Sequence, residues 1–70
     1  MNKQQAIDAM LQGKKVTHRF FTDDEWVTMN EQGEIVSEDG VNHGLYFWKL
    51  RSHADWETDW NIHEEKNKQN

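Results

Sequence analysis

Seventy residues without a single cysteine leave this chain one means of holding a fold, the packing of its side chains. Disulfides, thiolate metal sites and cysteine nucleophiles are excluded together. A chain this short buries only about 60% of the surface its unfolded form exposes, so its core is thin. Four Trp, three Phe and one Tyr offset that, because each aromatic side chain removes a large area from water. A homodimer is the other way to enlarge such a core.

Charge is distributed unevenly. No Lys or Arg occurs between Arg19 and Lys49, and Asp23, Asp24, Glu25, Glu31, Glu34, Glu38 and Asp39 fill that interval. A second acidic run, Asp55, Glu57, Asp59, Glu64 and Glu65, follows Arg51, and the formal net charge is −5. A domain with this field attracts basic surfaces and repels polyanions, so a basic protein partner is expected and direct nucleic-acid binding is not. No run approaches the roughly 18 apolar residues of a membrane span. The amino-terminal MNKQQAIDAML lacks the apolar stretch and cleavage site of a secretory signal, which makes the cytoplasm the expected address.

A hydrophobic content of 34% at this charge approaches disordered compositions. Clustered aromatics and regular apolar spacing instead predict one folded domain over residues 1–63, with a polar tail over 64–70. Asn2 and Gln5 form a capping-box pattern, and Ala6, Ile7, Met10 and Leu11 recur at helical spacing before a stop at Gly13. The period then changes to two. Val16, His18 and Phe20 point one way in a first strand, and Thr22-Asp23-Asp24 is turn chemistry. Residues 25–29 read as a second strand, Gly33 closes a hairpin loop, and residues 34–36 form a third strand. Residues 42–51 fit either a buried strand or a short helix, and the spacing of Leu45 with Trp48 and Phe47 with Leu50 favours the helix. Residues 59–63 read as a last strand, with Trp60 and Ile62 on one side. The expected fold class is α+β: an amino-terminal helix on a small antiparallel sheet of three to four strands, with a short helical insert before the last strand.

Candidate sites are few. The gaps between His18, His43, His53 and His63 are far longer than the three to five residues typical of paired zinc ligands, so no metal and no cofactor is expected. His18 reads as a packed or hydrogen-bonded strand residue. Glu25 and Glu31 are better explained as solvated hairpin charges than as a catalytic pair. Nucleophile elbows, phosphate loops and His–Glu–x–x–His patterns are missing, which argues against an enzyme. Phe20, Phe21, Trp26, Trp48, Trp56 and Trp60 exceed what one thin core covers, and Trp26, beside Glu25, is expected to be the most exposed. Arg19, Lys49 and Arg51 could converge on a phosphate, since the planar guanidinium matches phosphate oxygens in pairs.

The helix followed by Gly13-Lys14-Lys15-Val16-Thr17-His18-Arg19-Phe20-Phe21, then Asp24-Glu25-Trp26, Phe47-Trp48 with Arg51, and Trp56 with Trp60-x-Ile62, resembles small proteins encoded by bacterial viruses and prophages. The resemblance spans roughly residues 3–63. The opening helix and the closing Trp are more distantly similar to the phage sponges that sequester cyclic nucleotide signals of the Thoeris defence system. The resemblance implies a non-enzymatic anti-defence protein, an anti-CRISPR foremost, that occupies the basic groove of a Cas effector or another bacterial defence protein. Asp23, Asp24, Glu25, Trp26, Glu31, Glu34, Glu38 and Asp39 would face that partner. The alternative is a nucleotide sponge using Arg19, Lys49 and Arg51. A second alternative is a homo-oligomeric phage structural or accessory protein.

Overall fold

The computed structural model describes residues 1–64 and has α+β architecture, one helix across an antiparallel five-stranded sheet. In chain order the elements are α1 (Lys3–Leu11), β1 (Val16–His18), β2 (Val27–Met29), β3 (Ile35–Ser37), β4 (Asn42–Gly44), α2 (Tyr46–Lys49), a 3₁₀ turn (Ala54–Trp56) and β5 (Trp60–Ile62). The strands lie in the order β4-β3-β2-β1-β5, so β5 returns from far along the chain to flank β1. Apart from Glu64, which is exposed, the expected tail lies outside the described residues.

Local chemistry sets the ends of α1. The Gln5 N–H donates to Asn2 Oδ1 at 2.8 Å and the Asn2 N–H donates to Gln5 Oε1 at 2.9 Å, a reciprocal cap on two otherwise unpaired donors. At the other end Gly13, at φ +86°, turns the chain so that the Gly13 and Lys14 N–H groups reach the carbonyls of Met10 and Ala9. That left-handed position is one a β-carbon disfavours.

The core lies between α1 and one face of the sheet. Strand alternation sends Val16 and His18 of β1, Val27 of β2, Ile35 of β3 and Trp60 of β5 to the same side, where they meet Ala6, Ala9 and Met10. The register agrees: Val16 pairs with both Val27 and Ile62, and His18 pairs with Trp60. Phe47 from α2 and Trp56 from the 3₁₀ turn close the open end, and Trp60 is fully buried. Each large apolar side chain so buried contributes about 1.5–3 kcal/mol. On the outer face, Thr17 Oγ1 donates to the Glu25 carbonyl and Thr28 Oγ1 to that of Lys14, fastening the strand ends.

Several elements depart from expectation. Ala9, not Leu11, completes the inner face of α1; Leu11 lies about 140° around the helix from the buried Ala6 and is 67% exposed. β1 stops at His18, and the turn that follows carries Phe20 to a half-exposed position. β2 is shorter than expected, Val27–Met29, and β3 lies one residue later than expected, Ile35–Ser37. The ambiguous stretch 42–51 contains both a strand and a helix. β4 adds the fifth strand, and α2 buries the adjacent Phe47 and, partly, Trp48, while Leu45 and Leu50 face solvent.

Candidate functional site

His18 organises the end of the molecule where aromatic rings collect. It is 3% exposed, with the ring centroids of Trp56 at 4.2 Å and Trp60 at 4.8 Å. Its Nε2 lies 3.1 Å from the Asp55 carbonyl oxygen and 2.9 Å from that of Thr58. Carbonyls only accept, so Nε2 carries the hydrogen and donates to both. Nδ1 is then free to accept, and the Phe20 N–H donates to it at 3.1 Å. One imidazole therefore ties the 3₁₀ turn and the following loop to the end of β1.

Trp56, held this way, supports Arg51. The guanidinium carbon lies 4.1 Å from the Phe47 ring centroid and 5.2 Å from that of Trp56, an arrangement in which ring faces stabilise a cation. One Nη hydrogen is donated to the Phe47 carbonyl at 3.3 Å, while Nε is buried with no hydrogen-bond partner. Among the described residues no carboxylate forms an ion pair with Arg51. Burial alone pulls its pKa below the usual arginine value.

Arg51 lines a shallow cavity of about 170 Å³ together with Glu25, Trp26, Glu38, Asp39 and His43. The cavity forms because β2 and β3 run antiparallel, which brings the start of one beside the end of the other. The Trp26 N–H donates to Glu38 Oε1 and the Glu38 N–H to the Trp26 carbonyl. The sheet thus sorts the acidic residues into two groups. Asp23, Asp24, Glu25, Glu38 and Asp39 gather at one end of the β2–β3 hairpin, and Glu31 and Glu34 sit at its turn.

These carboxylates are not equivalent. Glu25 accepts from the Thr22 N–H at 2.7 Å and so closes its own turn. Glu34 accepts from the side-chain amides of Asn42 and Asn30, which hold its pKa below the usual range. Asp39 is lowered likewise, by the Ser37 hydroxyl first and then by the Val41 N–H. The carboxylates of Asp23, Asp24 and Glu31 are exposed and bind nothing among the described residues. Phe20, at 49% exposed, is the most exposed of the six aromatics named, and Trp26 is half-buried, with Lys15 Nζ 4.4 Å from its ring centroid. The outer face of the sheet gives it neighbours that alternation alone did not reveal.

The three cations named for phosphate binding have separate surroundings. Arg19 pairs with Asp59 at 3.0 Å and lies over Phe20. Lys49 lies over Tyr46, on the outward side of α2, and Arg51 is on its inward side.

Two features had weak signals in the sequence. Ser37, Asp39 and His43 meet at the β3–β4 turn, where His43 Nε2 is 2.9 Å from Ser37 Oγ. The Ser37 hydrogen is given to Asp39, so His43 donates to the hydroxyl instead of withdrawing its proton. That order of bonds clamps a turn; it does not activate a nucleophile. The second feature is apolar. Leu45, Tyr46 and Leu50, 68–73% exposed, occupy the outward side of α2, and a depression of about 310 Å³ lies among Leu45, Tyr46 and Lys49. Among the described residues, no group of three or more His, Asp or Glu is placed to hold a metal ion, and no helix is long and apolar enough to cross a membrane. Comparison with protein-family models, with curated proteins and with solved structures returns no match to this chain.

Proposed function

We propose that this is a non-enzymatic binding protein of the phage anti-defence kind, which engages the basic surface of a nucleic-acid-handling bacterial effector, a CRISPR–Cas nuclease foremost. The observation that supports this reading is the uncompensated acidic end of the β2–β3 hairpin. Asp23, Asp24, Glu25, Glu38 and Asp39 gather there, and none forms an ion pair with Lys or Arg among the described residues. Carboxylates on a rigid edge complement the Lys and Arg that line a nucleic-acid groove, and complementary fields speed encounter and reject like-charged partners. Trp26 contributes as a rigid floor beside the acids, not as a protruding anchor.

Purified Cas nucleases, titrated with this protein in a target-cleavage assay at rising salt, test the reading. Inhibition is expected to weaken with salt and to fall at least about tenfold in an Asp23→Lys/Asp24→Lys variant. Both positions are exposed and their carboxylates have no hydrogen-bond or ion-pair partner among the described residues, so the fold should survive the change. Unchanged inhibition by the variant would refute the electrostatic account, and no inhibition of any nuclease would refute this class of target.

The sponge alternative draws less support. The cavity beside Arg51 is smaller than the roughly 300–1,000 Å³ of small-molecule sites, and three carboxylates line it. Arg19 and Lys49 are engaged elsewhere.

A further inference from the structure

The two edges of the sheet are treated differently. At the β5 edge the Met1 amino group donates to the Trp60 carbonyl at 2.7 Å and the Trp60 N–H donates to the Met1 carbonyl at 3.0 Å, so the amino-terminal residues cover that strand. At the opposite edge, β4 has a paired neighbour only in β3 among the described residues. Residues 41–46 carry no Lys, Arg, Asp, Glu or Pro, the side chains that ordinarily guard an open edge. The element that follows, α2, turns Leu45, Tyr46 and Leu50 to solvent, and Val41 just before β4 is also exposed.

We infer that this β4–α2 corner is the interface through which two copies of the chain pair about a two-fold axis. Charge is lighter on this face than at the acidic end. Residues 40–54 carry two cations, Lys49 and Arg51, each lying over an aromatic ring, and no carboxylate, whereas the acidic end of the hairpin gathers five carboxylates that would repel its own copy. Area also suffices. Covering Leu45, Tyr46, Leu50 and Val41 removes roughly 300 Å² of apolar surface per copy. An interface is about 60% apolar. The two copies together then bury about 1,000 Å², the lower bound for a specific association. The inference rests on β4 and α2 and on none of the free carboxylates of Asp23 and Asp24, so it stands apart from the proposed function.

Sedimentation equilibrium across micromolar to millimolar concentration is the test. The wild-type chain is expected to reach twice its 8.4 kDa mass. Leu50→Asp should raise the dimer dissociation constant about thirtyfold or more, the effect of losing one hot-spot contact. Tyr46→Ala serves as a second variant, and circular dichroism checks that both remain folded. Asp23→Lys/Asp24→Lys should leave the mass unchanged. A wild-type mass of 8.4 kDa throughout, or a dimer undisturbed in the folded Leu50→Asp and Tyr46→Ala proteins, would overturn the inference. So would a monomer that floats with phosphatidylglycerol vesicles through Leu50, which would assign the patch to a lipid surface.

Discussion

Replacing His18 with Phe isolates what the imidazole contributes beyond its bulk. The two rings have comparable shape, so contact with Trp56 and Trp60 is largely kept. Three hydrogen-bonding groups lose their partner, the carbonyls of Asp55 and Thr58 and the N–H of Phe20. A buried polar group left unpaired costs about 1–3 kcal/mol. The 3₁₀ loop sits at the surface, and water can reach some of these groups, so we expect about 2–4 kcal/mol in all. A chain of this size has a total stability of about 4–10 kcal/mol at ordinary values per residue. The loss is therefore a large fraction of the whole. Urea unfolding followed by tryptophan fluorescence is the assay, since two of the four tryptophans touch the ring. His18→Ala, which also opens a cavity, should cost about 1–3 kcal/mol more than His18→Phe. If His18→Phe lies within about 0.5 kcal/mol of wild type, the imidazole is only a filler and its role in anchoring the loop is wrong.

Arg51→Met should change stability by less than about 1 kcal/mol in either direction. It gives up a cation–ring contact but relieves a buried Nε without a partner, and the same urea titration reads the balance. Acid should also weaken the fold through Glu34 and Asp39. Both have pKa values lowered in the folded state, so their stabilisation is complete above the ordinary carboxylate range and is lost as pH falls through the lowered values. The melting temperature is therefore expected to drop below about pH 4, and to drop less in Glu34→Gln; an identical acid limb in that variant would refute the assignment.

Local signals in the sequence were sufficient where one residue type decides the geometry. Asn2 with Gln5 and the glycine at 13 marked both ends of α1, and alternation put Val16 on one side with His18, and Trp60 on one side with Ile62. What escaped was decided by neighbours distant in sequence. Leu11 follows Ile7 at the same four-residue spacing with which Met10 follows Ala6, and which side of α1 the sheet covers leaves Leu11 exposed and Met10 buried. Residues 42–51 were ambiguous because they hold two elements of three and four residues, each too short for a period to register. The acidic residues were evident, but their sorting into free and fold-engaged carboxylates depends on Asn30, Asn42 and Ser37. Trp26 lacked any signal for Lys15, which reaches it across strands.

The pairing of β1 with β5 has a kinetic meaning. β2, β3 and β4 follow one another as hairpins, each closing a short loop, and such contacts form at little entropic cost. β1 lies inside the sheet, yet one of its two neighbours is the last strand among the described residues, and that strand carries the fully buried Trp60. Without β5 the core lacks Trp60, its largest fully buried side chain. The long closure that brings β5 home must precede the contacts that reward it, which places the entropic barrier late and makes the transition cooperative. Partly folded forms of this chain are consequently poor in core and scarce, and the molecule exists chiefly as a whole or not at all.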